Sequence, residues 1–247
     1  MIDTHCHLFK EYYDNLDEII KNAKEAGVER IIVNGTNYDS NLEVLELSSN
    51  YDIISPALGF QPEEIDSNTI DNLDIITKNI DDIVAIGEIG LDYYNSLIPK
   101  EKQIDIFERQ LALASKYNKP VIIHTRNAHE DTIRSLKKFP EVRGIIHCFS
   151  EGLKEAEEYI NLGFLLGIGG IVTFKNADLA KVVKEIKLKN IVLETDSPYL
   201  APMPLRGKRN EPSYLKYIVT KISEIKNIDE KKVIQITTSN VNRIFDF

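Results

Sequence analysis

The chain has 247 residues, a formal net charge of −9 and two cysteines. That acidic balance excludes a general nucleic-acid-coating surface, since such binding comes from Lys and Arg displacing counterions. It leaves open phosphodiester chemistry at a site where metal ions supply the positive charge. With 43% hydrophobic and 28% charged residues, and no apolar run near the roughly 20 residues of a membrane helix, a soluble globular protein without a membrane partner is expected.

The first element is a strand over residues 1–4, closed by His5 and His7. No basic region precedes it, so no signal peptide is expected. Cys6 and Cys148 stand apart from any disulfide framework, which predicts a reducing, cytoplasmic setting with both thiols packed as apolar groups. A helix follows, with Leu16, Ile19, Ile20, Ala23 and Ala26 on one stripe, Asp14 as candidate N-cap and Gly27 just past its end. Further strands are expected at residues 30–34, 54–58, 83–87, 121–123, 144–146, 164–168 and 191–194. Helical periodicity fills the gaps, most clearly over residues 100–118, where Ile104, Phe107, Leu111 and Ala114 share a face, and over 151–161, ending at Gly163.

Short strands of unbroken Ile, Val and Leu are the kind buried on both faces of a parallel sheet. Eight β–α repeats over residues 1–247 predict a single-domain α/β fold, a TIM (β/α)8 barrel. A doubly wound open sheet is the rival, but it would gather its ligands at one switch point. Here polar groups stand at the C-terminal ends of many strands, and a barrel brings those ends onto one face. The loop over residues 198–212, rich in Pro, Arg and Gly, belongs to that face.

His5, His7, His124 and His147 all stand where a strand runs out, joined by Glu88 and Asp196. Neutral imidazole is the commonest metal ligand, and six N/O donors suit two divalent ions better than one. The histidines favour Zn, while the carboxylates and phosphate chemistry admit Mg or Mn. His5, His7 and Asp196 are expected on one ion and His124 and His147 on the other, with Glu88 bridging both. Asp196 is also the candidate general base. Arg126 is placed to hold a phosphate oxygen or to form a structural ion pair. Arg206, Lys208 and Arg209 form a basic cluster that binds phosphate or is simply solvated. Tyr93 and Tyr94 either stack on a base or sugar or pack their loop. His129 is expected to be a solvated surface residue.

Three runs carry a family resemblance: Asp3-Thr4-His5-Cys6-His7, Gly87-Glu88-Ile89-Gly90-Leu91-Asp92-Tyr93-Tyr94, and Ile123-His124-Thr125-Arg126. So do His147-Cys148-Phe149-Ser150, Glu194-Thr195-Asp196-Ser197-Pro198-Tyr199, and Asn240-Val241-Asn242-Arg243. Together they resemble the TatD family of metal-dependent deoxyribonucleases, of the amidohydrolase-like superfamily, along essentially the whole chain. The resemblance implies a TIM-barrel hydrolase whose metal ligands are the six residues already named. It also implies cleavage of DNA phosphodiesters, often as a 3′→5′ exonuclease on single strands, which makes single-stranded DNA the expected substrate of a monomeric enzyme. One departure stands out. Where the family has Gly-x-His-Pro, this chain has Gly59-Phe60-Gln61-Pro62, so Gln61 can donate a hydrogen bond to substrate but cannot carry charge. Glu63 adds negative charge beside it, and Asn127 stands where the family often has an acid. Two alternatives remain: a hydrolase of the same architecture acting on another ester or amide, such as an aminoacyl-tRNA ester, and a non-catalytic metal-binding scaffold.

Overall fold

The computed structural model describes residues 1–94 and 96–247. Eight strands form one parallel sheet in sequential order: β1 (Ile2–Cys6), β2 (Arg30–Asn34), β3 (Ile54–Leu58), β4 (Ala85–Asp92), β5 (Val121–Arg126), β6 (Gly144–Ile146), β7 (Leu165–Ile168) and β8 (Ile191–Leu193). Between them run α1 (Leu16–Glu25), α2 (Tyr38–Asn50), α3 (Thr69–Asn72), α4 (Asp74–Lys78), α5 (Lys100–Tyr117), α6 (His129–Leu136), α7 (Leu153–Asn161) and α8 (Leu179–Glu185), with α9 (Leu215–Lys226) and α10 (Glu230–Val241) at the end. The sheet curls into a TIM barrel. Its seam is stitched just beyond β8, where the Asp196 N–H donates to the His5 carbonyl (3.0 Å) and the His7 N–H to the Ser197 carbonyl (2.7 Å).

Two apolar layers hold the barrel. One, between sheet and helices, contains most of the Ile, Leu and Val. The other fills the barrel's interior with one residue from each strand: Ile2, Ile32, Ala57, Ala85, Ile122, Ile145, Leu165 and Val192, closed by Val241 and Phe245. Side chains alternate along a strand, so the residue two positions further on also faces inward. From that layer, two steps up lead to Thr4, Asn34, Gly59, Gly87, His124, His147, Gly167 and Glu194. Strand period thus places His124 and His147, whereas His5 and Glu88 stand three steps above Ile2 and Ala85, inside the register irregularities of β1 (between Asp3 and Cys6) and β4 (between Ile86 and Ile89).

The strand bounds differ from the sequence reading in ways that matter. β4 continues past Gly87 to Asp92, through a register irregularity between Ile86 and Ile89, so Glu88 lies within the strand and not after it. β1 and β5 likewise extend through His5 and His124. His124 pairs with Gly90 on β4, while His5 and Glu88 sit in the register irregularities of their strands, and composition alone undercounts polar strand positions of that kind. The N-cap of α1 is Asn15, whose side chain accepts from the Glu18 N–H, in place of Asp14; α7 starts at Leu153, two residues later than its periodicity predicts.

Candidate metal centre

The six predicted ligands converge above the interior layer. Glu88 is central: its Oε2 lies 3.4 Å from both His5 Nε2 and His7 Nε2. Its Oε1 lies 3.1 Å from His124 Nδ1 and 3.3 Å from His147 Nε2. Within each histidine pair the facing nitrogens are 3.1 Å apart. Asp196 Oδ1 closes the first group, 3.6 Å from His5 Nε2 and 3.9 Å from His7 Nε2. Three overlapping sets of these residues, all anchored on His5, His147 or Glu88, have ligand atoms close enough to hold a metal ion.

Outer partners fix which nitrogen faces the centre. His7 Nδ1 donates to the Asn34 carbonyl (3.0 Å), leaving the Nε2 lone pair inward. His124 Nε2 donates to Asp92 Oδ2 (3.0 Å), leaving Nδ1 inward. His147 Nδ1 faces Glu194 Oε1 at 3.8 Å, while that carboxylate accepts from the Cys148 N–H. Asp3 ties the two sides of the barrel seam together: Oδ1 accepts from the Thr195 N–H (2.9 Å) and Oδ2 from the Thr195 hydroxyl (2.6 Å). It thereby sets His5 against Asp196. Such partners orient ligands and raise their basicity. Asp3, Asp92 and Glu194 do not stand out in the sequence as functional residues. The available signal is a carboxylate two to four positions from a ligand on a buried strand.

The electrostatics suit a cation. Burial raises the Glu88 carboxyl, but His147, His124 and His5 outweigh it and hold the group well below the usual carboxylate range. Burial opposes a charged His124, yet Asp92 and Glu88 overcome that and raise it to about 10. His5 is pushed down by burial and by His147. The same carboxylate field that favours a positive charge on the half-buried His124 favours a divalent cation beside it once the imidazole is neutral. Near-contact between imidazole nitrogens, with carboxylate oxygens filling the gaps, fits a donor set meant for divalent metal.

A cavity of about 590 Å³ opens over this cluster. Gln61, Glu63, Glu64, Arg126 and Cys148 line it, together with an aromatic side formed by Phe9, Tyr12 and Tyr199. Arg126 is the single Lys or Arg among its described lining, and its guanidinium sits 3.9 Å from the Tyr94 ring centroid. Two predicted substrate contacts lie outside the lining. Tyr93 donates its hydroxyl to Asp131 (2.9 Å) under the Lys100 ammonium, and Arg206 lies 4.5 Å over the Phe174 ring. Both are occupied by local packing. Cys148 is half-buried at the cavity wall and not in the apolar core, because a left-handed turn at this residue (φ 47°) carries the chain out of β6. His129 is also corrected: it is held between Glu151 (3.3 Å) and Glu158 (3.1 Å) at the edge of Tyr159, not solvated.

Comparison with known proteins agrees with this geometry. The model of the TatD related DNase family matches residues 2–246. The metal-dependent hydrolase YabD of Bacillus subtilis is 43% identical, over 99% of this chain and 98% of its own length. YcfH of Escherichia coli K12, also described as a metal-dependent hydrolase, is 32% identical over 99% and 95%. Among solved structures, the TatD homologue YjjV of E. coli superposes with a TM-score of 0.93 at 29% identity, covering 100% of this chain and 98% of that one. A TatD family hydrolase of Entamoeba histolytica gives 0.87 at 26%, covering 99% and 97%. A His/Glu/Asp cluster able to bind metal, at the strand ends of a TIM barrel matched along its length, leads to one conclusion: this chain belongs to the TatD family of metal-dependent hydrolases.

Proposed function

We propose that the protein is a metal-dependent deoxyribonuclease that hydrolyses phosphodiester bonds of single-stranded DNA, acting as a monomeric 3′→5′ exonuclease in the cytoplasm. The observation that carries the reading is the division of labour at Glu88, whose two carboxylate oxygens each face a separate histidine pair. That arrangement supports two divalent ions: His5, His7, Glu88 and Asp196 would hold one, and Glu88, His124 and His147 the other. When bound, such ions lower the pKa of coordinated water and offset charge building on the phosphoryl oxygens. Mg, Mn and Zn all suit the mixed donors.

The chain's own residues supply the rest. Asp196, raised by burial above its ordinary value, faces the cavity and takes the proton from the attacking water. Arg126 binds a non-bridging phosphate oxygen at the cavity mouth, and the Gln61 amide donates a neutral hydrogen bond to the same group.

The test is digestion of an end-labelled single strand. Metal-dependent shortening that stops with chelator and falls by at least about a hundredfold in Glu88→Ala is the expected result. Intact DNA after incubation with protein holding two equivalents of metal would overturn it. One observation favours a second reading. Glu63 and Glu64 outnumber Arg126 in the lining, and burial raises the Glu63 carboxyl further within the field of Asp92. Those charges resist a polyanion and favour an ester or amide with fewer phosphates, such as an aminoacyl ester. Turnover of a carboxylic ester panel without DNA cleavage would select that reading.

A further inference from the structure

The aromatic side of the cavity forms a closed circuit with the candidate ligand His7. Ring centroids lie 5.7 Å apart from His7 to Phe9, 6.0 Å from Phe9 to Tyr12, 5.9 Å from Tyr12 to Tyr199, and 6.2 Å from Tyr199 back to His7. Phe9 is buried and does the packing. Tyr199 is different. It is pinned by its hydroxyl to the Tyr12 hydroxyl (2.9 Å) and by its N–H to the Asp196 carbonyl (2.9 Å), yet it stays 49% exposed. An aromatic held so firmly, three residues past a ligand and half open to the cavity, is organised to receive something flat.

We propose that Tyr199, braced by Tyr12, is the stacking platform for the unpaired nucleobase of the nucleotide whose phosphate is cleaved. The proposal rests on the deoxyribonuclease reading and names the part of the substrate that reading leaves open. Charge separates the two halves of the nucleotide. The opposite wall carries Arg126, which takes the phosphate, and Glu63 and Glu64, which repel a second one. The neutral base is left with the aromatic side. The volume agrees, since about 590 Å³ lies within the range of a single small ligand. Stacking on an aromatic face is tolerant of base identity, so the platform selects for unpaired ends and not for sequence.

The experiment measures binding of metal-loaded protein to an oligodeoxynucleotide whose 3′-terminal linkage is a phosphorothioate, with the terminal nucleotide either normal or abasic. In wild type, removing the base is expected to weaken binding about tenfold. Tyr199→Ala should lose the same factor on the normal strand and nothing further on the abasic one, while Tyr199→Phe keeps most of the affinity. Terminal 2-aminopurine should be quenched on binding to wild type and not to Tyr199→Ala. Metal content equal to wild type certifies that the variants are folded, and the abasic comparison in wild type stands without any variant. Indifference of wild type to the base, or an equal loss by Tyr199→Ala on both strands, overturns the platform while leaving the nuclease intact. Failure of metal-loaded wild type to bind any oligonucleotide overturns both.

Discussion

Asp92 shows how much of this site depends on groups that never face the cavity's centre. Its Oδ2 accepts from His124 Nε2 while its Oδ1 accepts from the Tyr94 N–H at 2.8 Å, so one carboxylate fixes an imidazole and a loop together. Replacing it with Asn keeps the shape but weakens the acceptor that holds the His124 tautomer. Asp92→Asn is expected to lower metal affinity about 10- to 100-fold, measured by competition with a chromophoric chelator. Unchanged affinity would remove Asp92 from that role. At this scale the sequence pointed to candidate ligands and was silent about the groups that support them. His and Glu at strand ends announce themselves, whereas Asp3, Asp92 and Glu194 resemble ordinary polar residues until burial gives them partners.

At the scale of elements, strand alternation places His124 and His147, register irregularities in β1 and β4 place His5 and Glu88, and small residues make the space. Gly167 on β7 faces inward beside Glu194. A Cβ there would stand 2.1 Å from Glu194 Oε2 and 3.1 Å from the His147 Cα. Gly167→Ala therefore pushes Glu194 against His147. A stability loss of about 1–3 kcal/mol is expected from overpacking, together with weaker metal binding; chemical denaturation in excess chelator separates the two effects. A variant as stable as wild type would mean that Glu194 has another place to go. β4 carries the clearest contrast between pattern and structure at this scale. Its apolar run ends at Gly87, but its ladder with β5 runs on to pair Asp92 with Arg126. Asp92 remains in strand because the ladder, not its own propensity, holds it there, while Glu88, in the irregularity between Ile86 and Ile89, is tied across the barrel by its N–H donating to the Gly35 carbonyl (2.9 Å).

For the whole molecule, the acidic charge and the single cation among the described lining residues make a prediction about salt. If one Arg126 contact neutralises one phosphate, raising salt from about 50 to 200 mM weakens single-strand binding only about threefold. A steep loss, measured by anisotropy titration, would point to a basic surface outside the cavity, with Arg206, Lys208 and Arg209 first to examine. Among the described residues, no helix is long and apolar enough to cross a membrane.

The sequence by itself determined the alternation of strands and helices and the barrel it predicts, and it singled out six candidate donors, because local periodicity and residue chemistry are properties of short segments. Only the tertiary structure decided which donors pair around each oxygen of Glu88, which carboxylates stand behind them, and that Tyr199 and not Tyr93 lines the cavity. Those outcomes depend on closing a barrel whose first and last strands lie about 190 residues apart, as in the Asp3–Thr195 contact. No local pattern encodes a distance of that kind.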